Sequence, residues 1–254
     1  MITGVHAPRA YRPAPERPSS VSTVSGDTSY LGYSSENRQA KLDVCVKRDL
    51  KKELKHLYAP SATEVTLVDV PEMQFVTVCG RIEAGETPGT CPAFAEAVGA
   101  LYSLSYTIKF MSKLREVEPV DYTVMPLEGL WTTPGGGIDY QTSDEWLWTL
   151  AIMQPEHVTE EVFAEASNEL RRKKPTMCLE GVRLDRLREG LCVQILHIGP
   201  YADEPHTVDK MASWAAENGY RFRGPHHEIY LGDPRAARPE NLRTVLRHSV
   251  EPAE

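Results

Sequence analysis

The sequence predicts an α+β fold of two pseudo-symmetric β-α-β-β modules set about a central ligand groove. Three observations predict it. Strand-like and helix-like patterns alternate along the chain, and their order in the first half recurs in the second. PLEGLW (126–131) aligns with HHEIYL (226–231), which sets Glu128 and Glu228 in matching places. An apolar fraction of 41% over 254 residues suffices for a sizeable core without staples.

Residues 1–37 are rich in Pro, Ser, Thr and Arg and show no periodicity, so they are assigned to a disordered tail, and residues 38–254 to the folded domain. From Leu42 to Pro60, charged and apolar residues fall at helical spacing, which predicts a short amphipathic lead-in helix. EVTLVDVP and MQFVTVCGRIE read as strands parted by a Pro-Glu turn. After the loop AGETPGTCP comes a long helix, residues 94–114. Phe94, Val98, Leu101, Ser105, Ile108 and Met111 form one stripe on it, with Tyr102 and Tyr106 beside that stripe.

DYTVMPLEGLWTT and EWLWTLAIMQP follow as strands around the glycine-rich loop TPGGGIDYQTSD. The next helix, TEEVFAEASNELRRKK, opens on Thr159 as N-cap, has Glu in its first turn, and ends on basic residues before Pro175. The remainder supplies the strand LCVQILHIGPY, a helix closed by Gly219, and the strands HHEIYL and LRTVLRHSV.

Composition excludes several classes. The formal charge of -8, from 36 acidic and 28 basic residues, opposes a grip on phosphate backbones, so direct nucleic-acid binding is not expected. No apolar run approaches the roughly 20 residues needed to span a bilayer, and the N-terminus lacks a signal-peptide core. Five scattered cysteines without a C-x-x-C pair read as reduced thiols in a cytoplasmic protein. The histidines lack ligand spacing, and neither G-x-S-x-G nor a phosphate-cradling loop is present, so no metal or other cofactor is expected.

Two features point to a small-molecule site. Strand alternation puts His226, Glu228 and Tyr230 on one face, where a carboxylate either lines a cavity or faces water at an edge. Trp131, Trp146 and Trp148 fall within eighteen residues, the last two on one strand face. They either pack in the core or wall a pocket beside the glycine-rich loop.

The blocks LYSLSYTIKF, DYTVMPLEGLW, EWLWTLAIMQP, GLCVQILHIGPYADEP and HHEIYLGDPRAARPENLRTVLR together resemble the GyrI-like small-molecule-binding family, from about residue 44 to 250. The resemblance implies an SHS2-type duplication around a groove, with Glu228 as the glutamate facing the ligand. The stand-alone form is similar to cyclopropanoid cyclopropyl hydrolases, which open the cyclopropane of DNA-alkylating natural products of the yatakemycin type with an aromatic cage. That implies a role in self-resistance or detoxification. The cage positions expected here are Trp131, Trp146, Trp148, Tyr102, Tyr106 and Tyr230, with Glu228 or Glu128 activating water. The rival expectation is a binding protein that sequesters planar or cationic amphipathic drugs, with Glu228 as counter-ion. The chain lacks the helix-turn-helix segment of the family's transcription activators, and no surface motif names a protein partner.

Overall fold

The computed structural model describes residues 45–137, 145–233 and 237–253. The stretch 1–37 read as a tail, and residues 138–144 of the glycine-rich loop, lie outside the described residues.

In chain order the elements are β1 (Val46–Arg48), α1 (Leu50–Glu53), α2 (Lys55–Tyr58), β2 (Thr66–Val70), β3 (Met73–Ile82), α3 (Pro92–Leu114), β4 (Val120–Tyr122), β5 (Leu127–Thr132) and β6 (Trp146–Gln154). They continue with α4 (Glu160–Lys173), β7 (Arg183–Leu187), β8 (Gly190–Ile198), a 3-10 turn (Tyr201–Asp203), α5 (Glu204–Glu217), β9 (Tyr220–Tyr230) and, after a second 3-10 turn, β10 (Arg243–Pro252).

Eight strands form one antiparallel sheet in the order β2-β8-β10-β9-β5-β6-β3-β7, while β1 and β4 form a separate parallel pair. The run β3-α3-β5-β6 lies as β3-β6-β5 on one side, and β8-α5-β9-β10 lies as β8-β10-β9 on the other. The two runs meet where β5 pairs with β9. β2 and β3, neighbours in sequence, lie far apart because β2 pairs with β8 and β3 with β6 and β7.

Directly paired residues share a face of the sheet, and successive residues alternate between faces. One face carries α3 and α5. Leu101, Leu104 and Ile108 of α3 are fully buried, and Val208, Met211 and Ala215 of α5 cluster with Ile195 and Leu246. The reverse face is covered in part by α2, whose Leu57 and Tyr58 are buried and whose Tyr58 hydroxyl reaches Met153. The helix ends follow their local chemistry. Thr159 caps α4 by accepting from the Val162 amide, and Gly219 takes φ 78° to close α5.

The lead-in helix expected from Leu42 to Pro60 is corrected. Residues 46–48 are extended because they pair with β4, and the helical remainder breaks into two single turns at Leu54, with φ -106° and ψ 36°. β7 is an additional strand. Its sequence RLDRL is too polar to read as one, yet it pairs with β3 at the sheet edge, where polar outward residues are tolerated.

Candidate functional site

The β5/β9 seam, on the helix-bearing face, gathers the chain's unusual chemistry. Gly129 pairs with Glu228, and Trp131 pairs with both His226 of β9 and Trp148 of β6. These residues and Tyr230 therefore share one face. Phe94, in the first turn of α3, stacks on Trp131 with centroids 5.7 Å apart and meets Trp148 edge to face at 5.5 Å. Such aromatic pairs each contribute about 1 kcal/mol beyond their burial.

The tryptophans sit where they do because glycines leave room. A Cβ on Gly80 would lie 2.2 Å from the Trp148 ring, so that indole lies against bare backbone. A Cβ on Gly129 would lie 2.7 Å from Trp131 Nε1 and 2.9 Å from the Tyr230 hydroxyl, two atoms that are themselves hydrogen-bonded at 3.0 Å. Trp131 donates to Tyr230, and the Tyr230 phenol in turn serves the Glu228 carboxylate. Burial and the nearby Glu228 and Glu204 charges hold the Tyr230 phenol well above its usual range, so it stays a neutral donor.

Two carboxyls meet here. Glu228 is raised to about 7 by burial, against the pull of its Tyr230 hydrogen bond and of the His227 charge. Glu204, the first residue of α5, is raised well above the carboxylate range by burial and by Glu228. A helix N-terminus favours a negative charge, but here desolvation and the like charge outweigh it. Burial and the Glu228 charge thus favour the neutral form of Glu204, and a difference of that kind between two carboxyls lets them take opposite proton-transfer roles. His226 Nε2 lies 3.7 Å from Glu228 Oε1, and burial keeps that imidazole neutral. Tyr201 completes the rim, meeting Tyr230 edge to face at 6.0 Å while staying 39% exposed. The Glu228 side chain retains 15% exposure, so water reaches it.

The expected cage is partly reassigned. Trp131, Trp148 and Tyr230 come together at Glu228, and Tyr102 of α3 is half-buried within electrostatic reach of Tyr201. Trp146 shares the Trp148 face but pairs with Ile82, further from the seam. Tyr106 is corrected: it is 48% exposed on the outer side of α3, in a groove shared with α4. Tyr102, four residues earlier on the same helix face, lines that groove as well.

Glu128 is also corrected. It pairs with Ile229 rather than Glu228, and that one-residue offset turns it to the reverse face, where it is fully buried. There its Oε1 accepts from the Tyr58 hydroxyl at 2.7 Å and its Oε2 lies 2.9 Å from His227 Nε2. Glu204 and Phe94 are the residues that sequence reading missed. A Glu followed by Pro at a helix start reads as ordinary first-turn chemistry, and Phe94 reads as part of the α3 core stripe.

Among the described residues no group of three or more His, Cys, Asp or Glu side chains could hold a metal ion. None of their helices is long and apolar enough to cross a membrane.

Residues 63–247 match the model of the GyrI-like small molecule binding domain. Among solved structures, an uncharacterized conserved protein from Listeria innocua is 42% identical, with a TM-score of 0.72 over 80% of this chain and 99% of that one. Two structures described as hydrolases from Listeria innocua are 41% and 40% identical. Their TM-scores are 0.70 and 0.68, over 81% and 80% of this chain and 100% and 99% of theirs. Comparison with curated proteins returns no match.

Proposed function

The chain belongs to the GyrI-like small-molecule-binding family, and from that premise we propose that it is a hydrolase that opens the strained cyclopropane of planar, DNA-alkylating natural products. The observation that carries the reading is that the buried Glu204 and Glu228 carboxyls lie beside the Trp131–Tyr230 hydrogen bond and the aromatic cluster of Phe94, Trp131 and Trp148. The hydrolase descriptions of the Listeria innocua relatives support the reaction class. The cyclopropane substrate rests on the sequence resemblance and on the flat aromatic walls.

Flat conjugated rings stack against Trp131 and Phe94, which orients the spirocyclopropane for attack. The Glu228 carboxylate accepts a proton from water as the water oxygen bonds to the cyclopropane methylene carbon. The strained C–C bond breaks, and its electron pair moves into the ring system to give a phenolate. The phenolate oxygen takes the proton held by the neutral Glu204 carboxyl. Substrate and one water combine into a ring-opened alcohol that no longer alkylates DNA, and the two carboxyls restore their protonation by exchange with solvent. Tyr230, held by Trp131, orients Glu228 by donating to it. Such chemistry in a cell serves self-resistance or detoxification.

The same carboxyl pair among aromatic faces also suits a cationic ligand, with Glu228 as counter-ion, which is the basis of a sequestering role. Glu228→Gln separates the two. The hydrolase reading expects turnover to fall at least about a hundredfold, the scale of general-base catalysis, with retained binding of a neutral planar ligand. Unchanged turnover removes Glu228 from the mechanism.

A further inference from the structure

Glu228 has titratable neighbours on both sides of the sheet. On the groove side stand Glu204 of α5, Tyr201 of the preceding turn, Tyr102 of α3, and His226 and Tyr230 of its own strand, with His248 of β10 beyond His226. Behind it, on the reverse face, lies a continuous buried ion network. Tyr58 of α2 donates to Glu128 of β5 at 2.7 Å, and Glu128 meets His227 Nε2 at 2.9 Å. His227 Nδ1 lies 3.0 Å from Glu189 Oε2, which also receives Arg247 Nη1 at 3.1 Å. Arg247 is completely buried and donates further to Gln194 Oε1 at 3.1 and 3.2 Å and to the Leu57 carbonyl at 2.7 Å.

Removing this many charged groups from water is expensive, and well-packed apolar residues of similar volume commonly hold a sheet at least as well. The network is nevertheless closely paired: Glu128 and Glu189 flank His227, and Arg247 donates to Glu189, Gln194 and the Leu57 carbonyl, while Glu128 Oε2 meets His227 as an ion pair without a hydrogen bond. Its central member, His227, immediately precedes Glu228 in β9, and pairs across the sheet with Leu130 and Arg247.

We infer that the reverse-face network of Tyr58, Glu128, His227, Glu189 and Arg247 is a positioning device for Glu228, pinning β9 between β5 and β10 and keeping a fixed cation directly behind the site. The inference rests on the assignment of Glu228 as the base. Burial pushes the His227 imidazolium down, but Glu189 and Glu128 overcome it and raise His227 to about 9, so the cation persists through neutral pH. That charge draws Glu228 down against its own desolvation. His227 never touches substrate.

The test is a carboxyl-carbon NMR titration of Glu228 in the full chain, with glutamate labelled at Cδ and Glu228→Gln identifying the signal. His227→Gln removes a positive charge from behind the sheet, and the Glu228 midpoint rises. Glu128→Gln removes a negative charge from the same network, and the midpoint falls. Each shift is on the order of one pH unit, the effect of a unit charge at about 10 Å and an effective dielectric near 20. A merely structural network gives unmoved midpoints, or shifts of the same sign in both variants, and either result overturns the inference. If His227→Gln fails to fold, Glu128→Gln decides alone, and an unmoved or raised midpoint there is the overturning result. The titration needs no substrate. Opposed shifts in a protein that turns nothing over would sink the hydrolase reading and leave the network's control of Glu228 standing.

Discussion

Replacing Glu228 by glutamine should stabilise the protein while disabling it. The folded carboxyl titrates near 7, whereas in an unfolded chain it titrates near 4.3. A carboxyl whose folded pKa is raised is fully compatible with the fold below the unfolded pKa, and costs stability as pH rises through the folded pKa. The gap of roughly 2.5 units, at 1.36 kcal/mol each, bounds the cost at about 3 kcal/mol above pH 7. The side chain keeps 15% exposure and its bond with Tyr230, and a glutamine reproduces those contacts imperfectly, so a gain of about 1–2 kcal/mol is expected. For a fold of this size that is a rise in Tm of about 2–8 °C. Thermal unfolding followed by circular dichroism at pH 5 and pH 8 reads it directly. The gain should be small at pH 5 and full at pH 8. An equal gain at both values, or a loss at pH 8, would refute the assignment of Glu228 as a buried carboxyl poised near neutrality.

Two further substitutions probe the walls and the reverse face. Gly80→Ala forces a methyl into the Trp148 ring, so the expected cost is about 1–3 kcal/mol, with a shift in tryptophan emission and weakened binding of a planar ligand. Unaltered emission would mean that Trp148 does not lie against that backbone. Tyr58→Phe takes the 2.7 Å donor from the buried Glu128 carboxylate, and denaturant unfolding should show a loss of about 1–3 kcal/mol.

Much of the fold was legible because the chain states its periods clearly. α3 and α4 carry helical stripes with proper ends, and β3, β6 and β8 are runs rich in Val, Ile, Leu and Met. Elements fixed by partners rather than by their own composition were not legible. β1 is extended because it pairs with β4, and the polar β7 is a strand because β3 has an open edge.

The site divides along the same line. Strand alternation puts His226, Glu228 and Tyr230 on one face of β9 and Trp146 with Trp148 on one face of β6, and that period of two does not depend on the helices. Glu128 was misplaced because matching two strands by sequence does not fix their mutual register, and a one-residue offset reverses the face. Glu204 was invisible because its partner Glu228 lies 24 residues away, and only the docking of α5 on the sheet brings them together.

Incubation of the protein with a several-fold excess of a cyclopropane-containing DNA alkylator, with products followed by mass, separates turnover from binding. The account predicts repeated conversion, well beyond one equivalent per protein, to a product heavier by one water, and ligand recovered unchanged from a tight complex would contradict it.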